Sequence, residues 1–252
     1  MKMIAFAALT AMALGAAPVV AGPVEDLLSG ARKECVGCDL TDARFKSADL
    51  SGVDFSGANL SGATFHRAVL AGAIFDHADV TGTNFNLANL TSASFVGATA
   101  TGAYFYEAQL SGADFTDATL SNARMQHARM TGATLVGANL DGAVMKQVRL
   151  NNADLSGASM LRTNLSDSSI GRSNFTGVRI DNGSFTNAKM ARAIFDDAVI
   201  TLTDFYGADM DGVSFVDATV AGSRFTRARV SDSAFAETEM LHNFMQDGHR
   251  QD

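Results

Sequence analysis

The sequence is poor in the residues from which reactive centres are usually assembled. Its 252 residues include 2 cysteines, 5 histidines and no tryptophan. His66, His77, His127, His242 and His249 are scattered, and none has a second histidine or a carboxylate at ligand spacing repeated along the chain. Neither a metal site nor a histidine-based catalytic group is therefore expected. Positive charge is also scarce, with 19 Lys+Arg against 27 Asp+Glu and a formal net charge of −8. That balance argues against broad nucleic-acid binding and favours a basic partner. The many Ser, Thr and Asp residues suit water-facing turns, where their side chains bond nearby backbone. No cofactor and no enzymatic activity are expected.

Long apolar runs are missing after residue 21, so no later segment could cross a membrane. Residues 1–21 have the positive Lys2, an apolar run from Ile4 to Leu14, and small residues around Ala21 before Gly22. They read as a secretory signal peptide cleaved after Ala21, which places the mature chain in the periplasm or outside the cell. The alternative is an uncleaved anchor, because residues 3–21 carry no charge. Alanine content, Pro18 and a length short of about 20 strongly apolar residues favour cleavage.

What the chain has in abundance is one pattern. From Leu40 to Met240 every fifth residue is apolar and the residue two places before it is small, through 41 pentads without an insertion or deletion. The small residue is Ala in 27 of them. A period of five suits neither a helix nor a flat strand, because 3.6 and 2 both carry successive apolar residues off one face. A coil with four short sides can use it, by turning one large and one small side chain inward from each side.

Phenylalanine tests that geometry. It occupies 15 of the pentad centres, always at numbers ending in 5: Phe45 to Phe115 without a gap, then Phe175 to Phe235. In a coil of twenty residues, a period of ten puts Phe on two opposite sides. Rings in one column would repeat every ~4.8 Å, within the range for offset aromatic pairs. Between the two runs the columns hold Met125, Leu135, Met145, Leu155 and Leu165, and the small positions become Thr163, Ser168, Ser173, Val178 and Gly183. This stretch is either a tolerant aliphatic core or a softer, slightly bent middle.

Pentads such as 58–62 (ANLSG), 113–117 (ADFTD) and 153–157 (ADLSG) resemble the A(D/N)LXX repeat of the pentapeptide repeat family. The resemblance covers about four fifths of the chain. It implies an all-β solenoid, a right-handed quadrilateral β-helix of about ten 20-residue coils and ~50 Å in length. The expected divisions are a signal peptide (1–21), an N-terminal cap (22–37), the repeat β-helix (38–242) and a C-terminal tail (243–252).

Solenoid ends need cover, because terminal coils expose unpaired backbone and apolar surface. Val24, Leu27, Leu28 and Ala31 lie at helical spacing within Pro23 to Lys33, so a short amphipathic helix is expected over the first coil. The C-terminal end, with Phe244 and Met245 before a polar finish, looks less well covered, and homodimerisation through a solenoid end is a possibility to test. Cys35 and Cys38 form a C-x-x-C where cap meets rod. A structural disulfide is the leading reading for an exported protein, and two inert buried thiols come next. A redox pair lacks a strand–helix context of thioredoxin type, zinc lacks two further ligands, and haem attachment would need His where Asp39 stands.

Charge is distributed unevenly when each exposed residue is assigned to the side whose centre it neighbours. The Phe55 side carries Asp54, Asp76, Asp114, Asp117, Asp154, Asp196, Asp197, Asp217 and Glu237, with no Lys or Arg. The opposite Phe45 side is net basic and holds Tyr104, Tyr106 and Tyr206. On the Leu50 side Arg129, Arg149, Arg172, Lys189 and Arg192 form an acid-free patch across four coils. The acidic set, the five cations, and Tyr104 with Tyr106 are the candidate interaction residues.

Two functional readings follow, both non-enzymatic. The first is an exported scaffold or protein-interaction rod of unknown partner, without direct nucleic-acid binding. The second is what the resemblance implies for some family members, a DNA-mimic modulator of DNA gyrase or topoisomerase. The export signal, the absence of a loop insertion and the lack of a C-terminal helix for dimer formation stand against it.

Overall fold

A computed structural model describes residues 22–250. The proposed signal peptide therefore lies outside the described residues.

Each pentad makes one side of the coil by a fixed local device. The carbonyl of a centre accepts from the amide three residues on, as in Ala43 N–H to Leu40 O at 3.0 Å. The second residue between them has positive φ, as at Asp42 (φ 56°). Together these define a type II β-turn. Positive φ recurs at every fifth residue from Gly37 to Arg227. A corner repeated at each pentad turns the chain through four sides and returns it above its start after 20 residues. Bridges such as Arg44↔Thr64 and Asp49↔Val69 record that return. The result is the right-handed quadrilateral β-solenoid with a short N-terminal helix.

The interior holds one large and one small side chain per pentad. Every centre from Leu40 to Phe225 is at most 2% exposed. Phe rings stack coil on coil, with centroids 4.9 Å apart for Phe45–Phe65 and 4.7 Å for Phe75–Phe95. The two Phe columns also meet across the axis. Phe65–Phe75 and Phe85–Phe95 pack edge to face at 5.9 and 5.7 Å, so the stacks interlock rather than standing apart.

Hydroxyls replace alanine in the small positions without leaving a polar atom stranded. Thr83, Thr163, Ser168 and Ser173 donate to the carbonyls of Leu60, Leu140, Met145 and Leu150 in the coil before, at 2.6–2.8 Å. No buried side-chain polar atom among the described residues lacks a partner. On the Leu40 side the backbone also changes, from Ser159 onward. The amides of Thr203 and Ser223 are taken by the Ser223 hydroxyl (3.1 Å) and the Asn243 side chain (2.8 Å), which compete with the turn bond. Pairing there lengthens from single bridges to three-residue strands: β1 (Ser159–Leu161), β2 (Arg179–Asp181), β3 (Val199–Thr201), β4 (Thr219–Ala221) and β5 (Glu239–Leu241). They form one parallel sheet in that order, each strand offset by 20 residues.

Both ends depart from the regular winding. Helix α1 spans Pro23–Leu28, shorter than the Pro23 to Lys33 expected from spacing. It ends where Gly30 takes φ +73°, leaving Leu27 buried and Leu28 exposed. The inter-coil ladder begins with the Glu34↔Asp54 bridge, in which the Cys35 amide donates to Asp54 O at 2.6 Å. Cys35 thus occupies the foot of the Phe55 column, one pentad before Leu40. At the other end a 3-10 turn at Asp232–Phe235 interrupts the winding although the sequence keeps its period. Leu241 and Phe244 remain 41% and 44% exposed there.

Candidate interaction surfaces

Because the interior is filled, any function lies on the outside, and position within the pentad fixes what each outer residue can do. A carboxylate or amide just before a centre bonds the amide two residues on, closing an Asx turn under the corner. Asp49 accepts from the amide and hydroxyl of Ser51, Asn59 from those of Ser61 and Asp39 from those of Thr41. The Thr41 and Ser51 hydroxyls, with their amides, hold the Asp39 and Asp49 carboxyls below the usual carboxylate range.

The acidic side divides on this rule. Asp54, Asp114 and Asp154 are half-buried and accept from the amides of Ser56, Thr116 and Ser156 at 2.8–3.0 Å. Asp76 and Asp196, just after their centres, reach up one coil to the Ser94 and Ser214 hydroxyls and to the amides of Val96 and Val216. Asp117, Asp197, Asp217 and Glu237 are exposed. Five of the nine carboxylates thus serve the winding itself, and four project from the rod. None makes an ion pair among the described residues.

The cations divide differently. Where an acid stands one coil below an arginine, the two pair: Arg224 Nε with Asp204 at 2.9 Å, and Arg229 Nε with Asp209 at 3.0 Å. Burial raises the Asp204 carboxyl, but the Arg224 hydrogen bond and charge, with the Tyr206 amide, hold it below its ordinary value. Arg129, Arg149, Arg172, Lys189 and Arg192 are all exposed and have no such partner. One vertical row of the Leu50 side runs Gln109, Arg129, Arg149, Ser169, Lys189, Asp209, Arg229, so the acid-free stretch ends at Lys189. Two arginines therefore stack directly, with a glutamine below and a serine above.

At the corner between the Phe45 and Leu50 sides, Gln109, Arg129 and Arg149 of this row line a groove of about 580 Å³ with Leu87, Glu107, His127 and Gln147. The His127 and Tyr106 rings meet edge to face at 5.4 Å, and the neighbouring Glu107 carboxylate raises the Tyr106 phenol. Tyr104 lies under Arg124 at 5.4 Å, and Tyr206 under Arg224 and Arg227 at 5.0 and 5.7 Å. The structure therefore joins Arg129 and Arg149 to the Tyr106 corner, which side-by-side assignment had kept apart. His127, Gln109 and Gln147 were missed. Their signal was present as residue numbers ending in 7 and 9, which flank one corner.

Cys35 and Cys38 form a disulfide, with Cα atoms 5.3 Å apart. No cluster of His, Cys, Asp or Glu among the described residues is placed to hold a metal ion. No helix among them is long and apolar enough to cross a membrane.

A filled four-sided solenoid whose variable residues stand in its outer rows defines a class of repeat rods. The chain belongs to the pentapeptide repeat family. The profile described as pentapeptide repeats matches 8 copies within residues 38–215. Among solved structures, HetL of the cyanobacterium Nostoc sp. strain PCC 7120, a pentapeptide repeat protein involved in heterocyst differentiation regulation, is 20% identical. The match covers 90% of this chain and 98% of that one, with a TM-score of 0.44. A pentapeptide repeat protein of the Arabidopsis thaliana thylakoid lumen is 33% identical over 35% of this chain and 62% of its own, with a TM-score of 0.35. QnrB1, a plasmid-mediated fluoroquinolone resistance protein, is 22% identical over 72% and 91%, with a TM-score of 0.31. No curated protein matches the chain.

Proposed function

We propose that this protein is an exported interaction rod that presents its basic Leu50 and Phe45 sides to a protein partner. The observation that carries the reading is the row of cations at Arg129, Arg149 and Lys189 that make no ion pair, in a molecule that pairs Arg224 and Arg229 with the aspartates one coil below them. Unpaired, exposed charge contributes little to the fold, and aromatic residues beside basic groups are common contact residues. Export rests on residues 1–21. Cell fractionation with a C-terminal tag, then cross-linked pull-down from the same compartment, tests both parts. A chain starting at Gly22 outside the cytoplasm is expected, and an intact N-terminus in the cytosol overturns export.

A DNA-mimic action on gyrase is the second reading. It is favoured by the Phe55 side, where Asp117, Asp197, Asp217 and Glu237 project and no Lys or Arg interrupts them. A supercoiling assay decides it, since unchanged gyrase activity at saturating protein removes this reading.

A further inference from the structure

We infer that the groove at the corner between the Phe45 and Leu50 sides, continued along the Arg129–Arg149–Lys189 row, binds an extended acidic peptide segment. This rests on the interaction-rod reading above and names the chemistry of its partner.

Three features select that ligand. The first is stacked positive charge without an ion pair. Arg129 and Arg149 are neighbours in one ladder, and Lys189 stands two coils above Arg149 with only Ser169 between. Arg172 and Arg192 follow along the adjoining edge, beside a second depression of about 400 Å³ that Asp211 also lines. From Arg129 to Lys189 is three coil intervals, ~14 Å at the strand spacing, the length of about four extended residues. Anionic side chains on such a segment would lie against cations that make no ion pair among the described residues, the Asp209 carboxylate above Lys189 being held by Arg229.

The second feature is the mixed hydrogen-bonding of the groove wall. Gln109 and Gln147 each offer both a donor and an acceptor, which matches the N–H and C=O of a peptide group. A phosphodiester backbone has acceptors alone and would use half of that capacity. The third is Glu107 at the lower end of the groove, beside Tyr106 and His127. A carboxylate there repels a continuous polyanion but suits an amine, so it favours a peptide whose acidic stretch is preceded by a lysine or a free N-terminus.

The test is fluorescence anisotropy with a labelled short peptide of alternating Glu and Ser, against an oligonucleotide and a polyuronate. Wild-type protein should bind the peptide most tightly of the three and more weakly as salt rises. The double variant R129E/R149E should weaken peptide binding at least about tenfold. R44E/K46E changes the net charge equally on a distant part of the Phe45 side and should leave affinity within about twofold. Both pairs are surface changes, and circular dichroism verifies that each variant is folded. No peptide binding by wild type, equal loss in both variants, or tighter binding of oligonucleotide or polyuronate overturns the inference. Capture of one envelope protein by wild type and R129E/R149E alike overturns the acidic-segment assignment and leaves the rod reading intact. A cytosolic location overturns export without touching the peptide result.

Discussion

At the scale of the residue, the corner is the decisive position. Each corner demands a left-handed backbone, which costs a non-glycine residue roughly 1–2 kcal/mol. Leu202 pays that cost at φ 49° with its side chain 63% exposed and little to offset it. Leu202→Gly should therefore raise stability by about 0.5–1 kcal/mol, read as a higher urea midpoint. Gly62→Ala should do the reverse, because φ is +70° and a Cβ would run into the Asp42 carboxylate from the coil below.

The carboxylates beneath the corners make stability depend on pH with a definite sign. Asp39 and Asp49 have folded pKa values lowered by hydrogen bonds from Thr41 and Ser51. Their contribution is complete above the unfolded value of about 3.9 and is lost as pH falls through the lower folded value. The urea midpoint should hold steady from neutral pH down to about 4 and drop below it. Asn fills the same place at Asn59 and Asn89 with the same amide bond. D39N/D49N should therefore keep the fold and flatten the acid limb of that profile.

At the scale of the element, the coil is a four-sided layer with no spare volume. Ala113 and Ala138 are fully buried beside the axis, so Ala113→Asp should cost more than about 4 kcal/mol by placing an unpaired charge in a filled core. Phe85 stacks at 5.1 Å on both Phe65 and Phe105 and meets Phe75 and Phe95 edge-on. Phe85→Ala should cost about 3–5 kcal/mol in the same denaturation experiment. The coils around 163–173 lack Phe, yet their Thr163, Ser168 and Ser173 hydroxyls tie successive coils together. Amide exchange there should be as slow as in the flanking coils, since each hydroxyl adds a buried bond worth about 1 kcal/mol. Faster exchange would restore the soft-middle reading.

At the scale of the whole molecule, charge is arranged across the width of the rod. Acidic residues face one way, and the unpaired cations of the Leu50 side face an adjacent way. Like charges stacked at ~4.8 Å repel weakly when exposed and are screened over about 8 Å at physiological salt, so the fold tolerates both strips. That tolerance lets outer rows diverge toward binding while inner rows stay fixed. The same separation explains the uneven legibility of the parts. The inner columns could be read from numbers ending in 0 and 5, and the cationic row from numbers ending in 9.

By itself the sequence determined the twenty-residue coil, the columns that fill it and the side on which each charge stands, because an uninterrupted period of five leaves one way to bury every centre. Tertiary structure alone decided how those rows are used. Stacking one coil on another brought His127, with Tyr106 at its edge, into one groove with Arg129 and Arg149, opened the Leu40 side into a sheet where Ser223 and Asn243 capture backbone amides, and drew Asp76 and Asp196 of the acidic side into hydrogen bonds with the coil above. These contacts join residues 18 to 23 apart or on different sides of a corner. Their physical cause is the close approach of successive coils, which turns distant positions into neighbours.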